Sequence, residues 1–119
     1  RNTGSFKEAE ELYREALKIR RELAEKNPDA YLPDLAIGCN NLAILLRNTG
    51  SFKEAEELYR ESLKIRRNLA EENPKVYLPK LQLVCDNLTA LLEKTGRREE
   101  ADSLRREVAE FYQKQLAQQ

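Results

Sequence analysis

Several residue types on which enzyme chemistry depends are absent or rare in this 119-residue chain. There is no histidine, so the side chain that most often moves protons near neutral pH is missing. The four glycines are isolated, and no glycine-rich phosphate-binding loop occurs. Carboxylates are plentiful, but runs such as EAEE lie on helix faces that we predict to be solvated. The sequence therefore predicts a protein that is not an enzyme and has neither a cofactor nor a metal site.

A charge excess and long apolar runs are also absent. The 21 basic and 21 acidic residues cancel, which gives no reason to expect nucleic acid or an anionic membrane as a partner. No apolar run approaches the length needed to span a bilayer. Two cysteines are too few for the disulfide framework of a small secreted domain. We therefore expect a cytoplasmic protein.

The main feature of the sequence is an internal repeat. Residues 2–47 and 48–93 agree at 33 of 46 positions, and NTGSFKEAEELYRE occurs unchanged in both. A third copy begins near Lys94 and decays to KTGRREEADSLRRE. A period of this size indicates a solenoid, in which each unit buries its apolar face against the next. Because the chain opens inside a repeat, we expect it to be a segment of a longer array.

Two helical patterns alternate within each repeat. After Gly50, apolar residues recur every three or four positions from Phe52 to Leu69, and SFKE at 51–54 fits a capping box in which the glutamate reaches back to the serine amide. Pro33 suits the first turn of the other helix, and Gly50 suits the left-handed position that ends it. No segment alternates as a strand would. The predicted helices are 5–26, 33–48, 51–72, 79–94 and 97–116.

The segment NNLAILLRNTGSFKEAEELYRESLKI, residues 40–65, resembles the motif of tetratricopeptide repeats. Gly50, Phe52, Ala55 and Tyr59 fall where that motif places glycine, an aromatic residue, alanine and an aromatic residue. The letters NNLA are similar to those in the long repeats of the kinesin light chain type. The 46-residue length departs from the family pattern and leaves the geometry of a binding groove open.

The resemblance implies an all-α fold, a right-handed superhelical solenoid of antiparallel helix hairpins whose first helices line a concave groove. A single domain, 1–119, would comprise the second helix of a truncated repeat (1–32), a second repeat (33–78) and a third with a capping last helix (79–119). The implied function is a non-enzymatic interaction module or scaffold that binds a peptide segment of a protein partner in the groove. Two alternatives stay open. One is an architectural spacer or end-to-end self-assembling segment, and the other is a sensor array of a larger signalling protein.

Candidate groove residues lie on the predicted first helices. Asn41 and Asn87 match the asparagine that related repeats point into the groove, where an amide can donate to and accept from an extended peptide backbone. Asn40 and Asp86 lie beside them. Helical spacing predicts that the same face carries the remaining candidates, which are Ile37, Ile44, Arg47, Asn48, Leu83, Ala90, Glu93 and Lys94. The alternative is that the two asparagines satisfy backbone groups between helices.

The remaining charged residues and the cysteines are predicted to be structural. Cys39 and Cys85 share one repeat position, and we expect two buried thiols rather than a disulfide or half of a zinc site. Three ion pairs with helical i,i+4 spacing are predicted: Glu10–Arg14, Glu56–Arg60 and Asp102–Arg106. A second set of cations could meet acidic ligands if stacked, but glutamates on the same helices offset it, so we expect a solvated face: Lys18, Arg20, Arg21, Lys64, Arg66 and Arg67.

The two ends of the array differ from its middle. Four apolar residues of the first predicted helix lack one layer of cover, which would allow self-association: Phe6, Leu12, Tyr13 and Leu17. In the last helix, Arg98 and Arg105 stand where the preceding copy has Phe52 and Tyr59. That helix keeps three apolar residues, Leu104, Val108 and Phe111. Polar substitution of this kind is typical of a capping unit.

Overall fold

Five α-helices make up most of residues 3–119. The computed structural model describes residues 3–119, with side chains from Ser5 onward, and Arg1 and Asn2, where the first predicted repeat starts, lie outside the described residues. The helices are α1 (Thr3–Lys26), α2 (Pro28–Asn48), α3 (Phe52–Glu72), α4 (Pro74–Lys94) and α5 (Arg98–Ala117). No strand occurs in residues 3–119, which confirms the all-helical prediction. Over the same residues, none of the helices combines the length and the apolar content needed to cross a bilayer.

The predicted starts of α2 and α4 are wrong by five residues. Asn27 is extended, with φ −145° and ψ 80°, because a residue before proline avoids helical geometry. Pro28 therefore occupies the first turn, and the Tyr31 amide donates to the Asn27 carbonyl at 3.1 Å. Pro33 consequently lies inside α2, where it supplies no amide to the helix, and Pro79 lies inside α4 in the same way. The other helix bounds differ from the predicted ones by at most two residues.

The turns after α2 and α4 are closed by backbone hydrogen bonds. Gly50 and Gly96 have φ values of +91° and +82°, which confirms the predicted left-handed position at Gly50. The Gly50 amide donates to the Arg47 carbonyl at 3.2 Å, and the Ser51 amide donates to the Leu46 carbonyl at 2.8 Å. This pair of bonds defines a Schellman motif, which satisfies carbonyls that the end of a helix would otherwise leave without donors.

The capping box predicted for α3 does not form as expected. The Ser51 amide is already bonded in the turn, and the Glu54 carboxylate accepts hydrogen bonds from Arg14 instead. At the start of α5, Arg97 stands in place of the serine, and its side chain pairs with Glu100 at 2.9 Å. Tertiary ion pairing thus replaces the local reciprocal cap at α3.

Of the described residues, 3–62 form the first of two compact units. Within it α1 packs along α2, and the Ser62 hydroxyl of α3 donates to the Ala36 carbonyl of α2 at 2.9 Å. The largest fully buried side chains of this unit are Tyr59, Leu42 and Leu46. Burying each leucine contributes roughly 1.5–3 kcal/mol relative to leaving it exposed.

Residues 63–119 form the second unit, in which α4 packs along α5. Its core cluster consists of Ala70, Leu78, Leu81, Cys85, Val108 and Phe111, with Leu63, Tyr77, Leu104 and Tyr112 packed against it. The three apolar residues that α5 was predicted to keep therefore pack into this core. The Arg67 guanidinium lies 4.9 Å from the centroid of the Phe111 ring, within the range of a cation–π contact.

Candidate functional site

Four of the six groove candidates on α2 form one stripe. Ile37, Asn41, Ile44 and Asn48 follow the helical spacing i, i+4, i+7 and i+11, so they share a face. Asn41 and Asn48 are exposed, Ile37 is 38% exposed, and Ile44 is half-buried. This face of the first unit thus alternates apolar side chains with amides, which suits an extended peptide that offers both side chains and backbone groups.

The other two α2 candidates are placed differently. Asn40 is only 5% exposed, so its side chain is not available at the surface. Arg47 is half-buried, and its Nη2 donates to Asn48 Oδ1 at 3.1 Å. The Arg47 side chain therefore fixes the orientation of the Asn48 side-chain amide, which ends the stripe.

The second unit has a stripe with the same spacing on α4, formed by Leu83, Asn87, Ala90 and Lys94. Leu83 is 53% exposed, whereas Asn87 is half-buried. Asp86 and Glu93, the other candidates on this helix, are exposed but paired. Asp86 accepts a hydrogen bond from Gln82 Nε2 at 2.9 Å, and Glu93 lies 2.9 Å from Arg105.

A pocket in the first unit opens between α1 and α2 beside the α2 stripe. Tyr13, Ala16 and Arg20 line it from α1, and Gly38 and Asn41 line it from α2. A Cβ atom on Gly38 would lie 3.1 Å from Arg20 Nη1, so the glycine is what leaves room for the arginine there. Of these residues only Asn41 was predicted as a site residue.

Three polar groups of this pocket are available to a ligand. The Arg20 guanidinium, the Asn41 amide and the Tyr13 hydroxyl have no hydrogen-bond or ion-pair partner in the part of the chain that the structure describes. A guanidinium presents donors in a planar fork that matches a carboxylate. The pocket therefore presents donors that match an acidic group, and beside them the Asn41 amide offers both a donor and an acceptor. The sequence does contain one sign of this pocket: the next copy of the repeat has Val84 at the position of Gly38, where the first copy has no side chain.

The predicted solvated cation face is wrong at one position. Arg66 is 4% exposed, and its Nη1 donates to the Lys80 carbonyl at 3.0 Å. The reason is helical register, since Arg66 lies three residues after Leu63 and four before Ala70, on the packed side of α3. Arg20, at the equivalent position of α1, is half-buried.

Two ion pairs connect α1 with α3 in the first unit. Arg14 lies 2.6 Å from Glu54 and Arg21 lies 2.5 Å from Glu61, and each arginine contacts both carboxylate oxygens. The hydrogen bonds with Glu54, followed by those with Glu10, raise the pKa of Arg14. Arg14 in turn lowers the pKa of Glu54.

Within single helices, two of the three predicted i,i+4 pairs form: Glu10–Arg14 at 2.8 Å and Glu56–Arg60 at 3.0 Å. In α5, Asp102 pairs at 3.0 Å with Arg105, three residues on, rather than with Arg106 as predicted. All of these pairs lie at the surface, where each contributes little to the free energy of unfolding.

Both cysteines are buried and free, as predicted. Burial raises the pKa of the Cys39 thiol to about 12 and that of the Cys85 thiol to about 11. Because the thiolate is the reactive form, both thiols are protected in the folded chain. They pack as small apolar side chains.

The apolar residues of α1 that were expected to lack cover divide into two groups. Phe6, Leu12 and Tyr13 are 47%, 66% and 42% exposed, in agreement with the prediction. Leu17 is 7% exposed because it faces α2, where its Cδ1 would lie 3.2 Å from a Cβ on Gly38.

The family comparison agrees with this architecture. A tetratricopeptide repeat model matches residues 1–29 and 36–74, which together are more than half of the chain. No curated protein matches the chain. With the 46-residue helix–turn–helix period and the Schellman turns at Gly50 and Gly96, this match decides the family. The chain belongs to the tetratricopeptide repeat family.

Proposed function

We propose that the chain is a protein–protein interaction module that binds a peptide segment of a partner along α2. The family is in general a non-enzymatic scaffold for protein interactions, which supports the module. The observation that carries the peptide site is the pocket of the first unit, where Arg20, Asn41 and Tyr13 converge beside the stripe that begins at Ile37. The ligand it fits is an extended segment with an acidic side chain for Arg20 and apolar side chains for Ile37 and Ile44.

The α4 stripe supports the same proposal for the second unit. Leu83 and Ala90 offer apolar contact, and Asn87 stands at the position of Asn41. Lys94 is exposed at the end of this stripe and contributes a positive charge there. We propose that the α4 stripe is a peptide-binding surface of the second unit in its own right.

A selection from a displayed library of random peptides, followed by binding measurements on purified variants, tests the peptide site. Selected peptides are expected to contain Asp or Glu and to lose at least tenfold in affinity for Arg20→Gln and for Asn41→Ala. Gly38→Val, which copies Val84 into the pocket, is expected to weaken binding similarly by filling it. Lys18→Gln, an exposed cation of α1 outside the pocket, serves as the charge-matched control.

Two results would count against the site. Peptides that bind all three pocket variants with unchanged affinity place recognition elsewhere, provided that circular dichroism shows an intact fold. Peptides without an acidic residue argue against the role of Arg20. An architectural role is the second candidate function, and the exposed apolar face of α1 favours it.

A further inference from the structure

Two adjoining cavities lie between α3 and α5 in the second unit. The first has a volume of about 50 Å³, and five apolar side chains line it: Leu63, Leu81, Leu104, Val108 and Phe111. A single water needs only about 10–15 Å³, so a small apolar side chain of a ligand fits there. The second cavity, of about 260 Å³, shares Arg67, Glu107 and Phe111 with the first. A ligand that fills the first cavity therefore reaches the second.

In the first unit, an ion pair occupies the equivalent place. Arg21 and Glu61 lie 2.5 Å apart there. Arg67 and Glu107 stand 46 residues further on, at the same repeat positions. The Arg67 guanidinium lies instead over the ring of Phe111, which replaces an isoleucine of the preceding copy. Glu107 consequently has no ion-pair partner in the part of the chain that the structure describes, and its carboxylate is available to a ligand.

The second cavity contains a buried amide without a partner. Gln115 lines this cavity and is 7% exposed, and the preceding copy has Leu69 at its position. No hydrogen bond to its side chain occurs within residues 3–119. The amide nitrogen and oxygen are not sealed from solvent, so they open into the cavity. Because a buried amide without a hydrogen bond costs free energy, a ligand that bonds Gln115 recovers that cost.

Carboxylates outnumber cations around the second cavity. Three exposed glutamates line it, and none has an ion-pair partner among the described residues: Glu71, Glu107 and Glu110. Two cations line the same cavity, Arg67 and Lys114, and the first of these is stacked on an aromatic ring. At the position of Glu110 the preceding copy has a lysine. The excess of negative charge favours a ligand that brings a positive one.

We propose that the two cavities bind a basic peptide segment of a partner protein, with an apolar side chain in the first cavity and a lysine or arginine beside the glutamates of the second. The Gln115 amide bonds the backbone of the same segment, to which it can both donate and accept. This site shares no lining residue with the first-unit pocket or with either stripe. Its ligand is basic, whereas the first-unit pocket fits an acidic one, so the two sites are tested separately.

A competitive selection tests the proposal. Displayed random peptides are selected on the parent chain in the presence of excess soluble chain that carries Glu107→Gln with Glu110→Gln. Peptides that survive are expected to contain a lysine or arginine near an apolar residue. They are expected to bind the double variant about tenfold more weakly, and Gln115→Leu about fivefold more weakly. Glu72→Gln with Glu99→Gln, two exposed carboxylates of the same unit outside both cavities, is the charge-matched control and should bind as the parent does.

Thermal unfolding separates a binding role of Gln115 from a structural one. Gln115→Leu restores the residue of the preceding copy and removes an amide without a partner, so its Tm is expected to stay constant or to rise. A lower Tm would mean that the amide serves the fold. The site is also overturned if no peptide survives the competition, if the survivors lack a basic residue, or if the control pair weakens binding equally. Arg20→Gln should leave the affinity of these peptides unchanged, so the result does not depend on the first-unit pocket.

Discussion

Arg14 donates hydrogen bonds from both terminal nitrogens of its guanidinium to the carboxylate oxygens of Glu54, with N–O distances of 2.6 and 2.9 Å. The two residues are forty positions apart in the chain and join α1 to α3. Both side chains are more than two-fifths exposed, so solvent screens the pair. A double-mutant cycle of Arg14→Gln and Glu54→Gln is expected to give a coupling energy of about 0.5 kcal/mol in urea unfolding. The pairing of Arg14→Gln with Glu57→Gln is expected to give no coupling.

The pH dependence of this coupling has a defined sign. Because Arg14 lowers the pKa of Glu54 in the folded chain, the stabilisation is present above the ordinary glutamate pKa and is lost as the pH falls through the lowered one. Repeating the cycle from neutral to strongly acidic pH measures this loss. A coupling that grows on acidification would contradict the assigned ion pair.

Replacing Gly50 tests the turn after α2. Its φ is +91°, and a Cβ atom there would meet nothing within 4 Å, so any loss of stability reports backbone strain rather than a clash. Gly50→Ala is expected to lower the free energy of unfolding by about 1 kcal/mol, and Gly50→Asn by less, since asparagine tolerates the left-handed region better. Urea denaturation measures both. Equal losses for the two variants would mean that strain is not the cause.

Ser62 provides a buried hydrogen bond between helices. Its hydroxyl donates to the Ala36 carbonyl at 2.9 Å, so Ser62→Ala is expected to cost about 1 kcal/mol. Thr89→Val is the control, because the Thr89 hydroxyl bonds only within its own helix, to the carbonyls of Cys85 and Asp86. That variant is expected to stay within about 0.5 kcal/mol of the parent chain. If chemical denaturation shows similar losses of unfolding free energy for both variants, the hydrogen bond between helices is no more stabilising than one within a helix.

The Tyr59 hydroxyl is expected to be dispensable. The ring is fully buried, and the hydroxyl has no hydrogen-bond partner among the described residues. Burial raises its pKa. Tyr59→Phe removes this polar atom without changing the shape of the ring, so the free energy of unfolding should stay constant or rise by up to about 1 kcal/mol. A loss above about 1 kcal/mol in thermal or urea unfolding would reveal a partner for the hydroxyl.

The two buried thiols predict a loss of stability at alkaline pH. Cys39 and Cys85 have pKa values of about 12 and about 11 when folded, and unfolding returns them toward about 8.5. The unfolded chain therefore releases these protons at lower pH, so the contribution is complete below about pH 8.5 and declines as the pH rises toward the folded values. Between pH 8 and 10, the parent chain should lose at least about 1 kcal/mol more than the Cys39→Ala, Cys85→Ala variant. Parallel pH curves would contradict this.

Features set by local chemistry could be predicted from the sequence. Gly50 ends α2 because only glycine enters the left-handed region at little cost, and its neighbours supply every bond of the turn. The helical periods and the buried thiols follow from the same kind of local pattern. Pro33 misled the prediction because two prolines compete for the first turn of α2, and Pro28 comes first.

Features that depend on several helices could not be predicted in this way. The burial of Arg66 depends on the Lys80 carbonyl of another helix, and the preference of Glu54 for Arg14 over its own cap depends on α1. The pocket could not be predicted because its space depends on Gly38 having no side chain. The contrast between Gly38 and Val84 was visible in the sequence but had no meaning before Arg20 was placed.

The turns after α2 and α4 are closed by the same backbone hydrogen bonds and by one repeated side chain, because the Thr49 and Thr95 hydroxyls each donate to carbonyls of the preceding helical turn. Asn48 and Ser51 around Gly50 become Lys94 and Arg97 around Gly96, yet the same two backbone bonds close both turns. The joint between helices therefore keeps its form when the residues at the positions of Asn48 and Ser51 change, whereas its threonine and glycine are the same in both copies. Sequence drift at these positions can alter what the neighbouring surface recognises while the direction of the next helix stays the same.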